Sequence, residues 1–140
     1  MGKILCATRG GEASHRTQDA AIALAKERGD ELIFLYVVDL HFLDKTAGAS
    51  VVDMENEITK MGEFLLLMAK ERAAERSVTA RTLSRHGRVR EELKSAAVEE
   101  GASLIVLGRP TGTESIFELT DLRQCAAEVE AETGVETIIV

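Results

Sequence analysis

Three groups of side chains in this 140-residue chain have the types and spacing to meet an anion. The first is Thr8-Arg9-Gly10-Gly11, where a cation and two permissive glycines close an apolar run. Glycines there would let backbone approach a phosphate, although the same pair also serves as an ordinary turn into a helix, with Arg9 paired to Glu12, Asp39 or Glu114. The second is Gly108-Arg109-Pro110-Thr111-Gly112-Thr113-Glu114-Ser115, which offers backbone N–H groups, hydroxyls and a helix start. Such a start attracts negative charge, and a capped connection without a ligand would use Ser115 in the same way. The third runs from Ser77 to Arg90 and holds Arg81, Arg85, His86, Arg88 and Arg90 with no acid. Arg81 and Arg85 share a face if this stretch is a strand, and a charged edge strand is the alternative to an anion site.

No catalytic set accompanies them. His15 follows Ser14 directly, and neighbours on a helix point in different directions, so a Ser-His dyad is not expected. His15, Arg16 and His41 build no other constellation, and spacing leaves open whether Asp39 and His41 approach Arg9. GxSxG, HExxH and GxxxxGK[ST] are all missing from the sequence. Cys6 and Cys125 lack metal-ligand or CxxC spacing and are expected as buried thiols in a reducing compartment. Neither a catalytic residue nor a metal ligand is assigned, and turnover is not expected.

The charge balance narrows the partners. Seventeen Lys and Arg against 24 Asp and Glu leave a formal charge of -7. A general nucleic-acid or anionic-membrane binder needs a positive field, so neither is expected. A small anionic ligand remains compatible, because a local cluster can oppose the global sign. No apolar run approaches the roughly 18 residues of a membrane span. The opening MGKILCATRG has no signal-peptide pattern, and the expected location is the cytoplasm.

The elements that must position these groups alternate between strand and helix. Apolar runs predict strands at 3–8, 31–38, 103–107 and 135–140, and alternation predicts a more exposed one at 78–86. Helical spacing predicts a first helix at 12–28 with Ala13, Ala20, Ala21, Leu24 and Ala25 on one side. A second helix is expected from about 53 to 76, after a long loop at 39–52. Its stripe of Met54, Ile58, Met61, Leu65, Met68 and Arg72 is widened by Leu66, Ala69 and Ala73 and is expected as core or interface. Gly62 interrupts that helix where another element could pack closely. The third helix should begin at Gly87 and turn Val89, Leu93, Ala96 and Ala97 inward. The fourth should begin at Ser115, which with Glu118 forms a capping box, and bury Leu119, Leu122, Ala126 and Val129. Five strands joined by four helical crossovers imply one α/β domain over 1–140, a parallel sheet with helices on both faces. Ligands of such sheets bind beyond the carboxyl ends of the strands, where Arg9, Arg109 and, from the third group, Arg85, His86 and Arg88 fall.

Two stretches carry a family resemblance. KILCATRGGEASHRTQDAAIALAKERGDELIFLYVVD resembles the opening of a universal stress protein, and HGRVREELKSAAVEEGASLIVLGRPTG resembles that family's third helix, fourth strand and following loop. The resemblance runs from Lys3 to Val140. It implies a Rossmann-like, adenine-nucleotide-alpha-hydrolase-like fold with strand order 3-2-1-4-5. It also implies a homodimer built through the last strand, here Val135, Thr137, Ile138, Ile139 and Val140. An apolar edge of that kind must be covered or paired, and pairing across a two-fold axis would satisfy it.

Many members of the family bind ATP through G-x2-G-x9-G-[ST] after strand four and an aspartate after strand one. Here Gly108 and Gly112 enclose three residues, and Leu122 and Arg123 stand where the closing glycine and hydroxyl belong. Arg9 occupies the aspartate position, and Gly11 that of a nearby small hydroxyl. ATP binding in the usual mode is therefore not expected, and no cofactor is assigned. The resulting expectation is a cytoplasmic, dimeric protein with a stress-response or regulatory role. The alternative is a sensor of a nucleotide or other phosphate-bearing anion. Its contacts would be Thr8, Arg9, Gly10, Val38, Gly108, Arg109, Gly112, Thr113 and Ser115, with Arg85 as a further cation.

Overall fold

A computed structural model describes residues 2–8, 12–39, 49–109 and 116–140. Strands β1 (Lys3–Ala7), β2 (Glu31–Val38), β3 (Ala80–His86), β4 (Leu104–Leu107) and β5 (Glu136–Ile139) alternate with helices. The helices are α1 (Glu12–Arg28), α2 (Ala49–Glu75), α3 (Val89–Glu100) and α4 (Ile116–Thr133). All strands pair in parallel in the order β3-β2-β1-β4-β5, so the expected sheet and the resemblance's strand order both hold. In register, Cys6 lies between Phe34 of β2 and Val106 of β4.

Burial follows from this layering. On one face Ile4, Cys6, Leu32, Phe34, Leu104 and Val106 pack under Ala21, Ile22 and Ala25 of α1 and Leu66, Ala69 and Ala73 of α2. On the other, Leu5, Ile33, Leu35, Ile105 and Leu107 meet Leu93, Ala96 and Ala97 of α3 and Leu122, Ala126 and Val129 of α4. The central strands are apolar throughout because both sides are covered. Truncating a buried leucine such as Leu93 to alanine should cost about 2–5 kcal/mol.

Four expectations need correction. Helix α2 begins at Ala49, so the end of the expected long loop is helical, while 40–48 lie outside the described residues. Its expected core-or-interface stripe divides: Leu66, Ala69 and Ala73 are buried on the sheet beside Gly62, whereas Met54, Met61 and Met68 are exposed and are not core. Small residues win that face because α2 lies close on β2; a Cβ at Gly62 would come 2.5 Å from the Tyr36 ring. Val89 is 43% exposed at the first turn of α3, whose N-cap is Arg88 rather than Gly87. In α1 the buried row is Ser14, Thr17, Gln18, Ala21, Ile22 and Ala25, so polar groups replace part of the apolar side predicted. The side chains of Ala13, Glu118 and Leu119 and the whole of Ser115 lie outside the description, and with them the capping box.

Candidate functional site at the carboxyl edge of the sheet

Parallel pairing carries the ends of β1, β2, β3 and β4 to one edge, and the backbone there is largely committed. The Thr8 amide donates to Leu35 O at 2.9 Å, the Gly87 amide to Val38 O at 3.0 Å, and the Arg109 amide to Val140 O at 2.9 Å. The last bond extends the β4–β5 pairing by one residue. It also takes the Arg109 amide away from any anion, although the Arg109 side chain is exposed and makes no ion pair among the described residues.

Beneath this edge lies a buried polar cluster that connects β1 with the first turns of α1. Gln18 Nε2 donates to Thr8 Oγ1 at 2.9 Å, with both residues buried. Thr17, 2% exposed, presses its hydroxyl against Gly108, where any added Cβ would overlap it. Gly108 is thus glycine for close helix–strand packing, whatever happens in the loop beyond. A buried hydroxyl or amide needs a partner, and the Gln18–Thr8 bond supplies one without a ligand. Val38 is also buried, at 2% exposure, directly before Asp39.

Asp39 does something spacing could not reveal. Its Oδ2 accepts a hydrogen bond from the Val89 amide at 3.1 Å, so it satisfies an open N–H of α3 from 50 residues away. Arg88, the N-cap by position, offers no side-chain acceptor of its own.

The basic group on β3 is neutralised locally. Arg81 bonds Glu31 Oε1 at 2.5 Å and Glu100 Oε1 at 2.7 Å. Arg85, with its side chain 17% exposed, bonds Glu99, reaches Ser95 Oγ at 3.3 Å and lies 3.6 Å from Glu92. Bonding to Glu99 pushes the Arg85 guanidinium up, and the same contact holds the Glu99 carboxyl below its usual range. Arg81 is raised in the same way, first by Glu100 and then by Glu31. The expected shared face is therefore observed, and it faces acids of α3 and β2. The geometry turns Arg85 away from the role of further cation, and three strand spacings, about 14 Å, separate β3 from β4. His86 Nε2 sits 3.0 Å from Thr59 Oγ1 and 4.0 Å from Glu55 Oε1, tying the end of β3 to α2.

Of the sequence-predicted contacts, Thr8, Val38, Gly108 and Arg109 reach this edge. Arg9, Gly10, Gly11, His41, Pro110, Thr111, Gly112, Thr113, Glu114 and Ser115 lie outside the described residues. Cys6 and Cys125 are both buried and free of disulfides, and burial pushes the Cys6 thiol up to about 12. Such a thiol stays protonated and unreactive. Among the described residues no three His, Cys, Asp or Glu side chains gather as metal ligands, and no helix is long and apolar enough to cross a membrane.

With this sheet order and carboxyl-edge architecture established, the comparisons decide the family. A model of the universal stress protein family matches residues 1–117. The chain belongs to the universal stress protein family. It is similar to the universal stress protein YxiE of Bacillus subtilis, 36% identical over 124 residues that cover 77% of this chain and 78% of that one. A universal stress protein from Burkholderia pseudomallei superposes with a TM-score of 0.77 at 26% identity, covering 99% of this chain and 95% of that one. A universal stress protein crystallised with cAMP superposes at 0.68 and 21% identity, covering 99% and 94%. Universal stress protein membership supports a stress-response role for this chain.

Sequence reasoning left out Thr17 and Gln18 at this edge and gave Asp39 no part in holding α3. Thr17 and Gln18 lie in an unbroken polar run from Ser14 to Asp19, so composition gave no sign of which of these side chains turn inward. Asp39 left none either, because its partner amide lies on another element.

Proposed function

We propose that this universal stress protein acts in the cytoplasm as a homodimer, with a regulatory stress-response role exercised without ATP binding in the usual mode. One observation carries the ligand half of this reading: Thr17 packs on Gly108, the Gln18–Thr8 bond closes beneath it, and the Arg109 amide is spent on Val140 O. Among the described residues, these polar groups at the β1 and β4 ends are already satisfied by the chain itself. The altered glycine spacing and the arginine at position 9 support the same reading.

The dimer half rests on β5. Val140 bonds Leu107 and Arg109, so alternation turns the Thr137 and Ile139 amides to the outer edge. Ile138 and Val140 pack against the α1/α2 core and Val135 and Ile139 against the α3/α4 core, all of them half-buried. A second copy would complete their burial.

A second reading, a sensor of a nucleotide or phosphate-bearing anion, is favoured by the exposed Arg109, which joins no ion pair among the described residues, and by the cAMP complex of a structural relative. Thermal-shift measurements with ATP, ADP, AMP, cAMP and inorganic phosphate separate the two. A ligand at 100 times its Kd would stabilise by about 2.7 kcal/mol, a shift of several degrees. The first reading expects no shift with ATP. A cAMP or phosphate shift abolished in Arg109→Ala establishes the second instead.

A further inference from the structure

The most apolar stripe of α2 faces away from the sheet. Apart from Met1, every methionine of the chain lies on it: Met54, Met61 and Met68, seven residues apart and 44%, 58% and 40% exposed. Ile58 and Leu65 alternate with them in the 4-3-4-3 spacing of a coiled-coil seam, and Phe64, 60% exposed, lies on the flank. Among the described residues the sheet holds the neighbouring row of Gly62, Leu66, Ala69 and Ala73, while Ile58 and Leu65 are half-buried and the three methionines are exposed. Contiguous exposed apolar surface of this kind marks an interaction site. Methionine suits such a site, since its unbranched, polarizable side chain moulds to different partners.

Charge selects the occupant. Glu57 and Glu71 continue the Phe64 row at seven-residue spacing, and Glu75 continues the methionine row. All three are exposed and join no ion pair among the described residues. The Ile58–Leu65 row of the seam ends on Arg72, which bonds Asp19 of α1 at 2.5 Å. A second copy laid antiparallel along the seam would set Glu57 against Glu71 of its partner, a like-charge contact. An anionic membrane would be repelled by the same acids.

We propose that the Met54–Met68 face of α2 is a docking groove for a basic amphipathic helix of a partner protein. Apolar residues at helical spacing would fill the methionine seam, and Lys or Arg beside them would meet Glu57, Glu71 and Glu75. The seam rises about 21 Å from Met54 to Met68, which a partner helix of roughly 14–18 residues would span.

Protein labelled at the methionine methyl carbons reports the seam directly by NMR. A leucine–lysine amphipathic helix of about 18 residues should shift the Met54, Met61 and Met68 signals saturably, and added salt should weaken the binding. The double variant Glu57→Lys/Glu71→Lys should bind that peptide at least about tenfold more weakly. Glu27→Lys, on α1, serves as the charge control and should leave the affinity nearly unchanged. The proposal is overturned if the three signals stay in place with peptide at millimolar concentration. It is overturned equally if a leucine–glutamate peptide of the same pattern binds as well, or if Glu27→Lys weakens binding as much as the double variant. Shifts that follow protein concentration alone would assign the face to a second copy, and shifts with phosphatidylglycerol vesicles would assign it to a membrane; either result displaces the basic helix. Should the double variant fail to fold, the lysine, glutamate and salt arms on the unsubstituted chain decide the matter.

Discussion

β3 and β5 are the two edges of one sheet, and each must keep its outer backbone from pairing with the wrong chain. β3 does this with charge: Arg81 and Arg85 are laced to Glu31, Glu92, Glu99 and Glu100 of the neighbouring strand and helix. β5 carries no basic residue, and one of its amides is covered from within instead. Glu130 Oε1 of α4 accepts from the Thr137 amide at 3.0 Å, and the Thr137 hydroxyl donates to Val135 O at 3.1 Å. The difference teaches that one edge is closed by ion pairs that would have to break, while the other is shielded by a single carboxylate that can swing aside. A homodimer through β5 would have to displace Glu130 or pair around it, centring on Ile139.

The largest expected effect tests the open edge. Ile139→Lys should convert a dimer to a monomer in light scattering at micromolar concentration, whereas Thr82→Lys on β3 should leave the mass unchanged. A dimer that persists in Ile139→Lys would remove β5 as the interface and break the contrast.

Next in size is the cost of opening the closed edge. Arg85→Met keeps the bulk of a side chain that is only 17% exposed but leaves Glu92 and Glu99 without their cation. A lower midpoint in urea unfolding is expected, because both carboxylates lose the cation that neutralises them. A neutral result would mean that β3 is guarded by shape rather than by charge.

The acid limb sharpens the same point. Arg85 lowers the Glu99 pKa from its ordinary value of 4.5. A carboxylate lowered on folding stabilises fully above its unfolded value, and the contribution is lost as pH falls through the folded one. Unfolding midpoints should therefore drop on acidification below about pH 4.5. Glu99→Gln should flatten that limb while leaving the slope above pH 6 unaltered.

The smallest effect belongs to the shield on β5. Glu130→Ala should cost the monomer no more than about 1 kcal/mol, since the bond is exposed and water can replace it. Because it bares the Thr137 amide, it should also strengthen self-association, read as a lower dissociation concentration in sedimentation. Weaker association would show that Glu130 belongs to the interface.

Much of the fold was legible from residues alone, and the physical reason differs by element. The doubly covered strands declare themselves in the runs LIFLYVV and LIVL, because burial on both faces leaves no place for a charged residue. Gly29, Gly101 and Gly134 adopt left-handed φ of 67°, 69° and 74° and end three helices where a glycine stop was expected. Helix α2 was legible as a helix but not in its orientation. Periodicity points to the most apolar stripe, while close approach of helix to sheet demands small side chains such as Gly62 and Ala69.

The site was legible only as a location. The cationic cluster of Ser77–Arg90 looks open in sequence because its acids, Glu31, Glu92, Glu99 and Glu100, lie outside it or close only its far side. The Gln18–Thr8 bond and the Asp39 cap on α3 likewise join residues 10 and 50 apart. Local pattern determined which segments are strands and helices, where they stop, and that their carboxyl edge bears arginines. Tertiary structure decided which arginines are already paired, which face of α2 is left bare and which amides of β5 remain open. Those depend on distances across the chain, and burial and pairing act on what is near in space, whatever its place in the sequence.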